Sequence, residues 1–355
     1  MQAIVLRQPG WVEVQDRPDP RVEGPDEAIV RVTCAGVCGS DLHIVAGRDR
    51  GCRPGTIMGH ELVGVVEDVG RGVKDLRAGD RVVAPFTINC GSCFYCRRGQ
   101  TGRCLRSRGF GFVTEEGLGL EGAQAERVRV PLADSTLVKL PDQRPDGQPF
   151  EDREALFLGD ILSTAYGCAF AAGICAGDVV AVVGCGPVGL LCVQAAQLFA
   201  PAAVVAVDAV EYRREKAGSF GAVPAAGPEE AARLVRELTD GRGDDAVLEA
   251  VGVARALDLA IGLARPGATV SIAGYHTADL YPLPIQAAYA KNLGFKIGRC
   301  HARHYIDVLL PLVLKGRFRH TDIITHELPL ADGARAYDIF SERREDAIKV
   351  LLRTT

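Results

Sequence analysis

The sequence predicts an α/β protein with two domains, a β-rich barrel or sandwich followed by a doubly wound parallel sheet that helices cover on both faces. The chain of 355 residues is longer than one hydrophobic core usually supports, since a domain takes about 100 to 200 residues. The first 140 residues contain short β-type segments between turns, whereas apolar strands and helical runs alternate from about Val179 onward.

The first domain is predicted from segments that are rich in strand-forming residues and bounded by turn formers. They are AIVRV (28–32), VGVVEDVG (63–70), DRVVAP (80–85) and AERVRVP (125–131). A polar, proline-rich stretch at 141–154 follows and is expected to run over the surface as a connection. This order predicts mostly antiparallel pairing in the first part of the chain.

The second domain is predicted from a repeated order of apolar strand, turn and helix. The strand VVAVV (179–183) precedes a glycine turn and a helical run, and the segments AVVAVD, DDAVLEAVG and ATVSIAG continue the alternation. Strands that are apolar throughout are typical of a parallel sheet buried on both faces. The remaining chain contains a helical run near 306–314 and ends with the segment AIKVLLR.

Composition and charge exclude several classes of partner. A net charge of −4 without a basic run gives no electrostatic reason to expect nucleic acid or an acidic membrane. The N-terminal segment lacks the apolar core of a signal peptide, and the longest apolar stretch is too short to span a bilayer. We therefore expect a cytoplasmic protein, whose twelve cysteines are more easily explained by metal binding than by disulfides.

Four cysteines lie close together in a lobe at 88–106 and have the spacing C-x2-C-x2-C-x7-C. They are Cys90, Cys93, Cys96 and Cys104. Four neighbouring thiolates repel one another unless a cation neutralises them, and Zn²⁺ binds four sulfurs tetrahedrally. The pattern predicts a closed, structural zinc site that holds a loop with no core of its own. An iron–sulfur cluster and ordinary free cysteines are the alternatives.

A second metal site is indicated upstream, where Cys38 lies in AGVCGSDLH and His60 in MGHELVGVV. A thiolate and an imidazole are both good zinc ligands, and the small or acidic residues that follow them leave room for a further ligand. A catalytic zinc takes three protein ligands and keeps one position open. The third ligand must come from a distant part of the sequence, and spacing alone does not identify it.

A glycine motif predicts a dinucleotide site in the second domain. The pattern G-x-G-x-x-G is formed by Gly184, Gly186 and Gly189, with Pro187 and Val188 between the last two, and it lies between an apolar strand and a helix. In this context the motif places a pyrophosphate at a helix N-terminus. Asp208 ends the next strand, where a carboxylate accepts both ribose hydroxyls and repels a 2′-phosphate.

The residues after Asp208 leave the choice of cofactor open. The carboxylate favours NAD over NADP, but Arg213 and Arg214 follow it closely, and a nearby arginine is how a 2′-phosphate is accommodated. We expect NAD, with Arg213 counted among the residues near the cofactor.

Taken together, these motifs resemble the zinc-containing medium-chain dehydrogenase/reductase family over essentially the whole chain. The family signature GHE-x2-G-x5-G-x2-V is matched at Gly59, His60, Glu61, Gly64, Gly70 and Val73. The resemblance implies a GroES-like β-barrel catalytic domain from residues 1–161 and 300–355. It also implies a Rossmann NAD-binding domain at 162–299, with the active site in the cleft between the two domains.

The same resemblance makes Cys38 and His60 the first two zinc ligands and places the third ligand in the segment GDILSTAYG. Many members of the family have cysteine at that position, where this sequence has Asp160. An oxygen ligand donates less charge than a thiolate and leaves the metal a stronger Lewis acid. Asp160 could instead act only as the N-cap of the helix that follows.

Five further roles are implied by the resemblance. Ser40 corresponds to the residue that accepts the proton of the alcohol, and His43 to the histidine that passes it towards solvent. Glu61 corresponds to a glutamate that approaches zinc during ligand exchange, and Asp41 to the carboxylate behind the zinc-bound histidine. Lys349 lies where the family has a basic residue for the pyrophosphate. The alternatives are a surface histidine, solvated acids and an ordinary lysine beside a strand.

The activity implied is the reversible transfer of a hydride between a primary or secondary alcohol and NAD, with two zinc ions in each chain. Formaldehyde oxidation or aldehyde dismutation with tightly bound NAD is an alternative that Asp160 suggests. A nicotinamide-binding relative without catalytic activity is another. The expected partners are a small alcohol, aldehyde or ketone and further copies of the chain in a homodimer or homotetramer.

Overall fold

A computed structural model describes residues 1–49 and 51–354, and the chain divides into two compact units. The first unit comprises Met1–Ser163 and His301–Thr355, and the second comprises Thr164–Cys300. The sequence predicted domain boundaries after residues 161 and 299, and the compact units meet after residues 163 and 300. The first unit is thus built from both ends of the chain.

The N-terminal part of the first unit consists mainly of strands. Its elements are β1 (Gln2–Gln8), β2 (Trp11–Asp16), β3 (Ala28–Val37), α1 (Gly39–Val45), β4 (Leu62–Val69), β5 (Arg81–Ala84), β6 (Phe112–Val113), β7 (Gly119–Leu120), β8 (Arg127–Val130), α2 (Ala133–Thr136), β9 (Val138–Lys139) and α3 (Asp152–Ala155). Strands β3, β4, β5 and β9 pair antiparallel in that order, and β8 also pairs with β3. The predicted antiparallel pairing is therefore confirmed.

The second unit alternates strands and helices. Its elements, the first of which begins in the first unit, are α4 (Ile161–Ala172), β10 (Val179–Val183), α5 (Pro187–Gln197), β11 (Ala203–Val207), α6 (Glu211–Ser219), β12 (Val223–Ala225), α7 (Pro228–Leu238), β13 (Asp244–Glu249), α8 (Ala254–Leu263), β14 (Ala264–Ile272), α9 (Ile285–Ala290) and β15 (Gly294–Ile297). The strands form one parallel sheet in the order β12-β11-β10-β13-β14-β15. The predicted doubly wound sheet is confirmed.

The C-terminal segment returns to the first unit. Its elements are α10 (Ala302–Leu314), β16 (Ile324–Pro329), α11 (Gly333–Glu342) and β17 (Lys349–Arg353). Strand β17 pairs antiparallel with β3, with Val350 opposite Val37, and so places the last strand in the sheet of the first unit. Short 3-10 helices occur at Cys96–Arg98, Thr101–Arg103, Leu156–Gly159, His320–Ile323, Leu330–Asp332 and Arg344–Asp346.

The burial of individual strands shows how many faces of each sheet are covered in the two units. All five residues of β10 are buried, as expected for a strand with helices on both faces. In β8 the valines are buried and the arginines are not, which is the alternation of a strand with one covered face. Helix α10 begins at Ala302, earlier than the apolar run predicted, and Arg303 in its first turn donates to Asp307 and to the carbonyl of Ser135.

Within the described residues no single helix is long and apolar enough to cross a membrane. One bent pair, Asp152–Gly159 and Ile161–Ala172 with 48° between its halves, reaches the required length and composition only when the two helices are taken together.

Candidate metal and cofactor site

Three distant segments of the first unit bring Cys38, His60 and Asp160 together. Cys38 lies between β3 and α1, His60 precedes β4, and Asp160 directly precedes α4. The Oδ2 atom of Asp160 lies 3.5 Å from the Sγ of Cys38 and 3.1 Å from the Nε2 of His60. One ligand atom from each of these residues and from Glu61 lies within 4.8 Å of all the others.

These distances suit a zinc ion. Tetrahedral Zn²⁺ with bonds of about 2.0–2.3 Å requires donor atoms roughly 3.3–3.8 Å apart, close to the separations measured from Asp160. The donors are a thiol, an imidazole and a carboxylate, which is a set that zinc accepts. The residues present therefore fit the ion that the sequence predicted. All four residues of the group are buried.

Asp41 stands behind His60 and is completely buried. Its Oδ1 atom lies 3.2 Å from the Nδ1 of His60. Its Oδ2 atom accepts hydrogen bonds from the backbone N–H of Cys38 at 3.0 Å and from the Nε2 of Gln124 at 3.2 Å. A contact of this kind fixes which ring nitrogen of the histidine faces the metal. One carboxylate thus orients two of the three candidate ligands.

Gln124 and Tyr337 extend this arrangement, and sequence reasoning did not identify either residue. The Nε2 of Gln124 also donates to the carbonyl of Gly36 at 2.9 Å, and the hydroxyl of Tyr337 donates to the Oε1 of Gln124 at 2.8 Å. Both side chains are buried. Neither lies in a recognisable motif, because the contact depends on a fold that joins residues 213 positions apart.

Lys349 is buried beside the donor group rather than exposed on a strand. Its Nζ atom forms an ion pair with the Oε2 of Glu61 and donates to the carbonyl of Val37 at 3.1 Å. Only 1% of the surface of each partner is exposed. The sequence did not foresee this pairing, and a contact between Lys349 and the cofactor pyrophosphate stays a prediction.

Charge at the centre is unbalanced. Asp41, Glu61 and Asp160 contribute three buried carboxylates, and Lys349 offsets one of them. Burial alone would lower the pKa of His60, but Asp41 and the hydrogen bond to Asp160 raise it well above its usual value. The acids therefore keep the imidazole protonated when no metal is bound. A divalent cation bound by these donors would replace the proton of His60 and offset part of the negative charge of the group.

Ser40 and His43 lie on α1, next to the donor group. The Oγ atom of Ser40 is 3.3 Å from the Nε2 of His60. The Nε of Arg48 donates to the Nδ1 of His43 at 3.0 Å, so the neutral imidazole carries its proton on Nε2. Half burial, and then the charge of Arg48, lower the pKa of His43.

The four cysteines of the lobe also lie close together. One ligand atom from each of Cys90, Cys93, Cys96 and Cys104 falls within 4.8 Å of the others. Tetrahedral zinc places its sulfurs about 3.8 Å apart, whereas a cluster of several iron atoms spreads them over different metals. Backbone N–H groups of Cys96 and Leu105 lower the pKa of Cys93 to about 6, as suits a thiolate ligand.

The glycine motif of the second unit joins β10 to α5, as predicted. Gly186 immediately precedes the helix, which has Pro187 and Val188 in its first turn. A Cβ atom on Gly189 would lie 1.8 Å from the carbonyl oxygen of Gly184, so only glycine allows this turn to close. The backbone N–H groups at the start of α5 are thereby available to an anion.

Asp208 and Arg213 lie next to this turn. The carboxylate of Asp208 accepts hydrogen bonds from the N–H of Cys185 at 2.7 Å and of Val210 at 2.8 Å. The guanidinium of Arg213 lies 3.9 Å from the position of a Cβ on Gly186, and its Nε is buried without a hydrogen-bond partner in the described part of the chain. The structure thus brings the predicted carboxylate and the predicted arginine to the same turn.

A mixed-donor metal centre in one unit and a dinucleotide-binding sheet in the other define a metal-dependent dehydrogenase. Comparison with known families agrees with this class. Residues 24–142 match the family described as alcohol dehydrogenase GroES-like domain. Residues 187–313 match the family described as zinc-binding dehydrogenase.

Individual proteins resemble the chain over almost its full length. Zinc-type alcohol dehydrogenase B of Aspergillus flavus is 37% identical over 353 residues, covering 96% of this chain and 79% of that protein. The structure of an alcohol dehydrogenase from Thermus sp. ATN1 has a TM-score of 0.91 and 42% identity, covering 99% of both chains. Zinc-dependent alcohol dehydrogenase 2 of Streptococcus pneumonia has a TM-score of 0.88 and 33% identity, covering 99% of this chain and 98% of that one. The chain belongs to the zinc-containing medium-chain dehydrogenase/reductase family.

Proposed function

We propose that this chain is a zinc-dependent alcohol dehydrogenase that transfers a hydride reversibly between a primary or secondary alcohol and NAD. The observation that carries the proposal is the convergence of Cys38, His60 and Asp160 at distances that fit zinc. A relative without catalytic activity has no need to retain this buried group of charges. When bound, zinc supplies Lewis acidity that lowers the pKa of a coordinated hydroxyl. The cofactor supplies the hydride acceptor.

The side chains beside the donor group have distinct proposed roles. Asp41 holds His60 in the orientation that presents Nε2, and Glu61 stays paired with Lys349 beside the donors. The hydroxyl of Ser40, 3.3 Å from the same nitrogen, is placed to accept the proton that the substrate loses. His43 lies one helical turn further along α1 and shares a face with Ser40.

His43 completes the proposed proton path only after a rearrangement. Its Nδ1 accepts a hydrogen bond from Arg48, and its lowered pKa keeps the ring neutral near pH 7. A neutral imidazole takes up its second proton on the nitrogen that lacks one. Arg48 must therefore release Nδ1 before His43 can carry a proton away from Ser40.

We propose NAD as the preferred cofactor, because the carboxylate of Asp208, directly after β11, lies beside the glycine turn and would repel a 2′-phosphate. Arg213 is the residue that favours NADP. Binding of NADH and NADPH to the enzyme and to Asp208→Ala tests this choice. We expect the enzyme to bind NADH more tightly and the variant to lose that preference. Tighter binding of NADPH by the unmodified enzyme would overturn the assignment.

We propose that the active form is a homo-oligomer assembled through β15. This strand ends the sheet order, and an edge strand offers unpaired backbone groups to another chain. Exposed apolar residues lie on it and in the chain segment that precedes it, with 89% of Leu280, 82% of Tyr289 and 73% of Ile297 accessible. Light scattering should show a dimer or tetramer, and Ile297→Lys should shift it to a smaller species. A monomeric enzyme would refute this assembly.

The activity is tested by combining metal analysis with a substrate panel. The purified enzyme should contain two zinc ions per chain and reduce added NAD with at least one primary or secondary alcohol. Turnover of an aldehyde without added cofactor would indicate dismutation instead. Enzyme that holds no zinc in the donor group of Cys38, His60 and Asp160, or loaded enzyme that oxidises no alcohol, would overturn the proposal.

We also propose that the protein acts in the cytoplasm. All twelve cysteines lie within the described residues and none of them forms a disulfide, which suits a reducing compartment. Fractionation of cells that produce the tagged protein tests this, and recovery outside the cytoplasmic fraction would contradict it.

A further inference from the structure

Glu249 is a fully buried carboxylate in the second unit, and none of the roles described above uses it. It is the last residue of β13. Its Oε1 atom accepts hydrogen bonds from the N–H groups of Val251 at 2.7 Å and Gly252 at 2.8 Å. Its Oε2 atom lies 3.1 Å from the Nε2 of His276. One side chain therefore connects the turn after β13 with the segment after β14.

The backbones of these two segments are also in direct contact. The N–H groups of Ala273 and Gly274 donate to the carbonyl of Glu249 at 2.8 Å and 3.0 Å. A Cβ atom on Gly274 would lie 2.2 Å from the backbone nitrogen of Gly252 and 2.7 Å from the Oε2 of Glu249. No side chain fits between the two segments at Gly274. Two residues further along the chain, the contact between His276 and Glu249 fixes the loop after β14.

The order of strands indicates which part of a dinucleotide these segments face. The chain runs from β10 outward to β11 and β12 and then returns to β13 on the other side of β10. Ligands of such sheets bind across the carboxyl ends of the strands at this switch point. Asp208, which would hold the adenosine ribose, directly follows β11, and the glycine turn follows β10. The nicotinamide half must then lie towards β13 and β14.

We propose that Glu249 and His276 are positioning residues for the nicotinamide half of the cofactor. The proposal rests on the NAD-dependent function proposed above. Glu249 has no exposed side-chain surface, whereas 23% of the His276 side chain is exposed, so the pair extends from the end of β13 to the protein surface. By holding the loops after β13 and β14, the pair fixes backbone donors and acceptors that a carboxamide needs. Such preorganisation lowers the entropic cost of binding.

Comparing the binding of two ligands distinguishes a role in positioning the nicotinamide from a general effect on the fold. NADH contains the nicotinamide ring, and ADP-ribose has the same adenosine, diphosphate and second ribose without that ring. For His276→Phe we expect about tenfold weaker binding of NADH and unchanged binding of ADP-ribose, measured by calorimetry on the full-length enzyme. His276→Gln retains a side-chain donor for Glu249 and should recover most of the loss.

Two further variants complete the experiment. Glu249→Gln should show the same weaker binding of NADH as His276→Phe. If Glu249→Gln does not fold, the result for His276→Phe alone tests the proposal. His326→Phe removes a similar contact, between the Nε2 of His326 and the Oε2 of Glu345 at 3.2 Å in the first unit, and should change neither affinity. Unchanged NADH binding in His276→Phe, or an equal loss for both ligands, would overturn the inference. If the unmodified enzyme binds neither ligand, the proposed function itself is wrong.

Discussion

The two groups of candidate metal ligands in the first unit are equally compact but differ in their surroundings. In both groups the donor atoms lie within 4.8 Å of one another. The lobe offers four chemically identical sulfurs, three of them only partly buried. The group around Cys38 offers sulfur, nitrogen and oxygen, lies almost entirely out of solvent, and is held by Asp41, Lys349 and other side chains.

The difference separates two uses of a metal. Four thiolates saturate zinc, so the lobe can contribute only stability. Three protein donors leave a position for substrate, and the buried charges around them tune the metal and fix its ligands. Each group should therefore respond to mutation through a different property, which the following variants test in order of decreasing effect.

The largest effect is expected for Cys38→Ser. The variant should lose the zinc held with His60 and Asp160 but keep the zinc of the lobe. Activity should fall by at least about a thousandfold, roughly 4 kcal/mol of transition-state stabilisation. Metal analysis and steady-state kinetics measure both quantities. Cys175→Ser, which changes an exposed cysteine outside both groups, is the control. Full activity in Cys38→Ser would refute the comparison.

Cys96→Ser should have the opposite profile. Removing one of four sulfurs should release the zinc of the lobe and lower the free energy of unfolding by about 4 kcal/mol, because metal binding there is coupled to folding of the lobe. Activity per folded molecule should stay within about threefold of the unmodified enzyme, a loss of roughly 0.7 kcal/mol. Chemical denaturation followed by tryptophan fluorescence gives the stability. Complete loss of activity in protein that remains folded would show that the lobe takes part in catalysis.

Lys349→Met tests the buried ion pair that the group around Cys38 has and that the lobe, within the described residues, lacks. The substitution leaves Glu61 without its cation, and breaking a buried ion pair in this way costs about 3–5 kcal/mol of folding free energy. The expected loss is measured by chemical denaturation. The double variant Glu61→Gln/Lys349→Met removes both charges and should recover more than half of the loss. Equal stability of the single and double variants would show that the pair is not coupled.

Gln124→Leu tests the outermost contacts of the same group. The substitution removes the hydrogen bonds to Asp41 and Tyr337, so the orientation of His60 should be less well fixed. Loss of such contacts typically weakens metal binding by about 10- to 100-fold, and we expect the lower value. When zinc is transferred to a chromogenic chelator, one of the two ions should be released faster than from the unmodified enzyme and the other at an unchanged rate. Tyr337→Phe, which loses only the outer bond, should have a smaller effect, and equal acceleration of both ions would contradict the prediction.

The contrast also explains which features the sequence could predict. The lobe is local, since Cys90 to Cys104 span fifteen residues, and the spacing alone indicates its chemistry. The glycine motif and Asp208 are predictable for the same reason, because strand, turn and helix follow one another in the chain. The signature around His60 is likewise continuous, and it carried the resemblance from which the remaining roles were assigned.

What the sequence could not predict depends on contacts between distant segments. Asp160 approaches His60 from one hundred residues away, and only the resemblance suggested it. Tyr337 reaches Gln124, and Lys349 reaches Glu61, through the return of the C-terminal segment to the first unit. Glu249 pairs with His276 because β13 and β14 are neighbours in the sheet, and the local sequence of neither strand predicts that they are neighbours. Such partners are set by topology rather than by local pattern.

Asp244, at the start of β13 in the second unit, is a buried acid that lacks, in the part of the chain that the structure describes, a hydrogen-bond partner of the kind that His60 provides for Asp160. Both of its carboxylate oxygens are buried without a hydrogen-bond partner in the described residues, and burial, followed by the charge of Asp245, raises its pKa to about 8. The folded state therefore binds a proton that the unfolded chain has released above pH about 4. Stability from this residue is complete below that pH and declines until pH about 8.

Asp244→Asn should remove this decline. Its free energy of unfolding relative to the unmodified enzyme should rise between pH 5 and 8 by about 1 kcal/mol per pH unit, close to the limit of 1.4 for one proton. The neighbouring Asp245 is the matched control, because its hydrogen bonds to Val179 and Arg265 overcome the effect of burial and lower its pKa. Asp245→Asn should destabilise the protein, and because burial still keeps the proton on Asp244, the difference from the unmodified enzyme should change much less with pH than it does for Asp244→Asn. Parallel pH profiles for Asp244→Asn and the unmodified enzyme would show that Asp244 is ionised in the folded state.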